Sequence, residues 1–324
     1  MNRTSASQSR RHIHSHPSRI QGYAAVLLGL ALGLGTGACG VGVEGGSDET
    51  SQARGGQLSS NGLSTNGLST NGLSTNGLST NGLSTNGLST NGFTTWFNQD
   101  PMTADSVMEY VVKCAVPSGQ VRQFTNPVTG TLHSWNGALG LAPGWASGLA
   151  ATPAEQEVIS ACLAAHANKY GIHVAISVLG ADSDGSPIPY TAEELATFSE
   201  PEACFFGNLF DGTGVFAAND QPYLPPDKST SRTCGLASSS TQACAPLTHV
   251  GMCASLCQRA VDGGGAALPY YASCTLGGRA FRTLTARIRP QEIYQCGDGV
   301  CQFTEHCGTG TSALSCQADC GACP

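Results

Sequence analysis

The 324-residue sequence predicts an α+β fold: a disulfide-stapled central domain, a low-complexity repeat tether before it and a small disulfide-rich module after it. Three observations carry this reading. The chain holds 15 cysteines, more than a protein working in a reducing cytosol keeps. Beyond Cys39 they form two even groups, eight from Cys114 to Cys274 and six from Cys296 to Cys323, as complete pairing inside each module requires. Between residues 101 and 292 the apolar pattern changes from helical spacing to strand spacing, the mark of mixed rather than uniform secondary structure.

Residues 1–39 read as an export signal. Arg3, Arg10, Arg11 and Arg19 form a basic start with no acidic residue, and an apolar run from Tyr23 to Gly35 follows. That run is shorter than the roughly 20 residues a membrane-spanning helix needs, and it fits a secretory signal. Thr36-Gly37-Ala38-Cys39 then resembles the lipobox of bacterial lipoproteins, with Thr36 where that motif usually has Leu. The resemblance implies a mature N-terminus at Cys39, acylated and held in the membrane by several chains. Gly40 after the cysteine implies the outer membrane on the same grounds. Without lipidation at Cys39 the protein would be secreted.

Charge excludes one class of partner. Only 11% of residues are charged. Loss of the four leader arginines leaves 11 basic residues against 22 acidic ones, a formal charge of −11. Such a chain gains nothing from the counterion release that drives nucleic-acid binding.

Residues 40–100 change character. Asn-Gly-Leu-Ser-Thr occurs six times without a mismatch from Asn61 to Thr90, after a worn copy at Gly56–Ser60 and before a divergent one at Asn91–Thr95. A period of five matches neither a helix nor a strand, and Asn-Gly is a turn signal. Three readings are open: a flexible tether, a short stacked solenoid, and a tract whose Asn-Gly units are post-translationally modified.

In residues 101–292, Val107, Met108, Val111 and Val112 recur at helical spacing on a segment that carries Cys114. Leu132–Leu141 reads as a strand and turn. Thr152-Pro153-Ala154-Glu155 is a helix start, with Thr152 as N-cap and Glu155 three residues on, and the helix carrying Cys162 should run to about Lys169. Ile172–Leu179 reads as a buried strand ended by a turn at Asp182–Gly185, and Thr191 starts a second short helix. After Cys204 come short strands and loops holding Cys234 and Cys244. His249–Val261 reads as a helix with Cys253 and Cys257 on one face, each bridged elsewhere because that spacing prevents their pairing in a regular helix. Arg279–Arg289 reads as a strand with Leu284, Ala286 and Ile288 turned inward, beside Cys274.

Residues 293–324 hold Cys296, Cys301, Cys307, Cys316, Cys320 and Cys323. So many cysteines in so short a segment leave little room for a core, so covalent staples define the fold and fifteen pairings are open. One C-x-x-C knuckle, Cys320–Cys323, is too few for a zinc site. The pattern C-G-D-G-x-C, then E-x-C and A-D-C-G-x-C, resembles the Cys-rich tail repeats of exported bacterial proteins. With the lipobox, the repeat tract and Leu139-Gly-Leu-Ala-Pro-Gly-Trp145, the chain resembles Cys-rich surface lipoproteins of myxobacteria. That resemblance implies location and no activity.

The sequence lacks G-x-S-x-G, H-E-x-x-H, S-x-x-K and phosphate-loop motifs, and no cofactor or metal is expected. The expected role is non-catalytic binding of a glycan or protein, or envelope structure. Trp135, Trp145, Tyr223, Tyr270 and Tyr271, set in Gly- or Pro-rich stretches, are candidates to face a ligand, with core filling as the competing use of such rings. The alternatives are a hydrolase using His133 or His249 with Asp211 or Glu202, and a precursor with modified repeats.

Overall fold

A computed structural model describes residues 58–61, 63–64, 82–168, 173–221, 228–230, 247–297, 299, 301, 305–312 and 315–324. Cys39, Tyr223, Cys234 and Cys244 lie outside these residues, as do the repeat units over 65–81.

The repeat tract does not end where the fold begins. Its worn copy forms β1 (Leu58–Asn61), and Leu63–Ser64 forms β2. Its last units form a one-turn helix, α1 (Thr85–Leu88), and α2 (Asn91–Phe97). Leu83, Leu88 and Phe93, five residues apart, all sit in the main core with Trp96 and Phe97. The last repeat units therefore share the core of the domain expected over residues 101–292. The physical reason lies in the caps. The Ser84 hydroxyl accepts the Gly87 N–H at 3.3 Å and the Thr90 hydroxyl accepts the Phe93 N–H at 3.3 Å. Ser84 and Thr90 thus each start a short helical turn, and Leu83, Leu88 and Phe93 all reach the same core.

Next come α3 (Pro101–Ala115), the hairpin β3 (Val121–Thr125) and β4 (Leu132–Asn136), and α4 (Pro143–Ala146). α5 (Pro153–His166) starts as its sequence predicts. Thr152 and Glu155 form a reciprocal capping box, Glu155 N–H to Thr152 Oγ1 at 3.2 Å and Thr152 N–H to Glu155 Oε2 at 2.8 Å. The helix stops at His166, short of Lys169, because Ala167–Asn168 turns extended as β5 and pairs with β2.

The main sheet uses β6 (Val174–Gly180), β7 (Glu200–Asn208), β8 (Gly214–Asn219), β10 (Leu247–Met252) and β13 (Arg279–Ile288), in the order β1-β6-β13-β7-β8-β10. The pairs are antiparallel except β8 with β10. From β13 an arm extends through β12 (Ala267–Leu276) to β11 (Cys257–Val261). A short helix, α6 (Ala192–Thr197), leads into β7. Strand β7 shows why the sheet is buried on both faces. Ala203 and Phe205 enter the main core, whereas Cys204 and Phe206 enter a second cluster with Phe281, Tyr271 and Cys253. Leu284, Ala286 and Ile288 on β13 are all in the main core, as their alternation predicts.

The expected helix at His249–Val261 is strand, turn and strand: β10, one helical turn α7 (Cys253–Leu256), then β11. Cys253 and Cys257 are bridged apart, to Cys204 and Cys274 respectively. Cys257 and Cys274 are direct cross-strand partners, so pairing with β12 draws this segment out of a helix. Cys114–Cys162 ties α3 to α5.

In the last segment β14 (Ile293–Gln295) pairs with β9 (Lys228–Thr230), and a two-residue hairpin, β15 (Thr311–Ser312) and β16 (Ser315–Cys316), precedes α8 (Gln317–Cys320). The bridges are Cys296–Cys316, Cys301–Cys320 and Cys307–Cys323. The first three cysteines thus pair in order with the last three, and each bridge overlaps the other two along the chain.

Candidate functional site

A cleft of about 620 Å³ opens where the repeat tract meets the central domain. Ser84 and Leu88 form one wall, Val121, Arg122, Gln123 and Ser134 of the β3–β4 hairpin a second, and Ala146 and Ser147 at the end of α4 a third. Two glycines set the first wall against the third. Gly82 has φ +69° and Gly148 φ +98°, values that L side chains rarely adopt, and a Cβ on Gly82 would overlap the Gly148 backbone. The repeat's glycine therefore has a structural use here, and Leu83 N–H donates to Trp145 O at 2.9 Å beside it. The third wall is held from below, since Trp145 N–H donates to the buried Glu155 Oε1 at 2.9 Å.

Arg122 crosses the cleft. Its Nη2 donates to Ala146 O at 2.6 Å and to Gln120 Oε1 at 3.2 Å, and Nη1 donates to Val121 O at 3.0 Å. Nε is buried without a hydrogen-bond partner. Among the described residues no carboxylate is ion-paired with this guanidinium, and burial lowers its pKa from the ordinary arginine value. The remaining polar groups at the rim are three serine hydroxyls and the Gln123 amide, and the described lining residues include neither histidine nor carboxylate.

The sequence-selected aromatics take a different place. Trp145 is fully buried, and Trp135, Tyr270 and Tyr271 are 3–4% exposed, so each fills the interior instead of facing a ligand. The polar tips of Trp135 and Tyr271 have internal partners, as buried Trp and Tyr require. Trp135 Nε1 donates to Asp105 Oδ1 at 2.9 Å, and Tyr271 OH donates to Asp220 Oδ1 at 2.7 Å while accepting from Arg259 Nη2 at 2.9 Å. Burial, then the Asp220 carboxylate, pushes the Tyr271 phenol up to about 12.

His133 Nδ1 lies 2.9 Å from the same Asp105 Oδ1, and its ring stacks on Trp135 and meets the edge of Phe97. It is thus paired with Asp105, not with Asp211 or Glu202. Asp211 is bound to Arg279 at 2.9 Å. Glu202 is buried in β7, and His249 lies half-buried in β10, where burial lowers its pKa. No hydroxyl or thiol nucleophile is hydrogen-bonded to His133 among the described residues.

Residues 58–79 and 72–96 match the family model of the GLTT repeat, six copies in all. The tract carries GLTT repeats. The match spans far less than half of the 324 residues and says nothing of the central sheet or the cysteine-rich tail. No curated protein and no solved structure matches the chain. The GLTT tract supplies Ser84 and Leu88 to the cleft wall, and its repeat register alone does not reveal that contribution. The one legible signal was the departure from the repeat at Asn91–Phe97, where Phe93 takes the Leu position and Trp96 and Phe97 stand where the next Asn-Gly would be.

Three clusters bring cysteine sulfurs near other metal-ligating atoms: Cys114, Cys162 and His166; Cys204, Cys257 and Cys274; and Cys296, Cys316 and Asp319. All of these cysteines are in disulfides, and a disulfide sulfur is not a thiolate ligand.

Proposed function

We propose that this is an exported, lipid-anchored cell-envelope protein whose folded head binds a glycan or protein ligand without turning it over. The lipobox-like Thr36–Cys39 and the resemblance to myxobacterial surface lipoproteins support anchoring through Cys39, and the six disulfides among the described residues support export. The observation that carries the binding role is the cleft. It lies between the last repeat units, the β3–β4 hairpin and the end of α4, and hydroxyl, amide and guanidinium groups line it, with no acid–base pair among the described lining residues. Such a lining suits a hydroxyl-rich or acidic ligand, because each ligand oxygen exchanges water for a fixed donor at little ordering cost. A net charge of −7, or −11 once the four leader arginines are lost, argues against nucleic acid as a partner.

The test is an array of envelope glycans and surface proteins probed with the mature chain, in parallel with an intact-mass measurement. The expected results are an acylated N-terminus at Cys39 and at least one saturable ligand whose affinity falls about 10-fold or more in Arg122→Gln, as loss of a charged hydrogen bond implies. An unmodified Cys39 would refute the anchor. Binding that Arg122→Gln leaves unchanged would refute the cleft.

A further inference from the structure

We propose that the outer edge of β6 is a docking groove for a repeat strand of a second copy of this chain, so that neighbouring molecules exchange GLTT-tract strands. Strand β6 is paired on one side by β13 and on the other by β1 over Val174–Ser177. It carries no charge, and Val174, Ile176, Ser177, Val178 and Leu179 are buried. An edge of that composition is a strong template for any extended chain, so its partner is fixed mainly by what is at hand.

The partner in place is the least regular one. β1 reads Leu58-Ser59-Ser60-Asn61, with one apolar side chain and no charge, so main-chain hydrogen bonds supply most of its hold on β6. The same tetrapeptide recurs at five-residue intervals as Leu-Ser-Thr-Asn, from Leu63 onward. The single change, Thr for Ser60, favours a strand, because a β-branched side chain fits the pleated surface better. Each intact copy therefore suits the β6 edge at least as well as the segment that occupies it. The last units are excluded from the exchange, since Leu83 and Leu88 are locked in the core beside Trp96 and Phe97.

Taking the strand from a neighbouring chain replaces one set of ladder bonds by an equivalent set. The cost is then that of association, as in domain swapping. Anchoring many copies to one surface lowers that cost by raising local concentration, an effect that rests on the anchoring proposed above. The consequence is lateral linkage of heads through their tethers.

The experiment uses the mature chain with Cys39→Ser, oxidised and free in solution, so that neither lipid nor cleft ligand enters and its outcome is independent of theirs. Unlabelled and nitrogen-15 chains are mixed and followed by native mass spectrometry up to near-millimolar concentration, the effective concentration of a short linker. Mixed dimers should form, with the Val174–Ser177 amides still protected from exchange. An excess of the peptide Asn-Gly-Leu-Ser-Thr-Asn-Gly-Leu-Ser-Thr-Asn should reduce them by about tenfold or more, and a scrambled peptide should not. Persistent monomer at every concentration would overturn the proposal. So would dimers that both peptides, or neither, dissolve.

Discussion

Glu194 shows how one side chain couples this fold to pH. It caps nothing at the surface. It lies 6% exposed where α6 packs on β6, and Ser177 Oγ donates to its Oε1 at 2.7 Å. Burial raises its pKa above the ordinary 4.5, and the Ser177 hydrogen bond offsets part of that rise. The folded chain therefore keeps a proton that the unfolded chain has released. Across the interval from 4.5 up to the raised value the folded state binds more protons, so stability falls as pH climbs and stays lower above it. Glu194→Gln should flatten that slope and leave the low-pH arm nearly unchanged. Urea unfolding at a series of pH values measures both arms. The aromatic residues teach the complementary lesson at this scale. A Gly-rich neighbourhood for Trp135 or Trp145 is equally what a ring needs to reach the core, and only the packing around each ring, with Asp105 at the Trp135 indole N–H, decides between those uses.

Among the elements, α1 and α2 are the ones whose neighbours most change their meaning. Leu83 and Leu88 belong to a low-complexity repeat by sequence, yet they are 0% and 1% exposed. Leu83→Ala and Leu88→Ala should each cost about 2–5 kcal/mol, the range for truncating a buried Leu, whereas Met102→Ala at 85% exposure should stay within about 0.5 kcal/mol. Denaturant unfolding under oxidising conditions distinguishes a folded repeat end from an idle tether. α5 was legible down to its cap, because Thr152, Pro153 and Glu155 act through local hydrogen bonds. β13 was legible through its period of two. The segment from His249 to Val261 was not. A short apolar run carries no decisive period, and its conformation follows from a parallel ladder to β8 and an antiparallel ladder to β12, both with residues distant in sequence.

At the scale of the molecule, two kinds of cohesion share one chain. The main core gathers residues from Leu83 to Ile288, and Cys114–Cys162 lies wholly inside it. The C-terminal segment shows little apolar burial among its described residues. Among its described residues only Glu305 and Cys316 are buried, while Cys301 and Cys323 are exposed. Its three overlapping bridges therefore carry its fold, and they do so by restricting the unfolded chain. Mild thiol reduction should open Cys301–Cys320 and Cys307–Cys323 well before Cys114–Cys162. Timed alkylation with mass mapping should show that order, with near-ultraviolet dichroism of the central domain retained after the tail is reduced. Simultaneous reduction of all bridges would contradict it. By itself the sequence determined the α+β class, the helix starts, the inward face of the last long strand and the even division of cysteines, because each of these depends on neighbours a few residues away. Tertiary structure alone decided that the repeat tract ends inside the core, which cysteines pair, and that a cleft lies between Ser84, Arg122 and Ser147. Those features join residues tens of positions apart, and which of many equivalent repeats or thiols meets a given partner is settled only when the sheet and its helices pack.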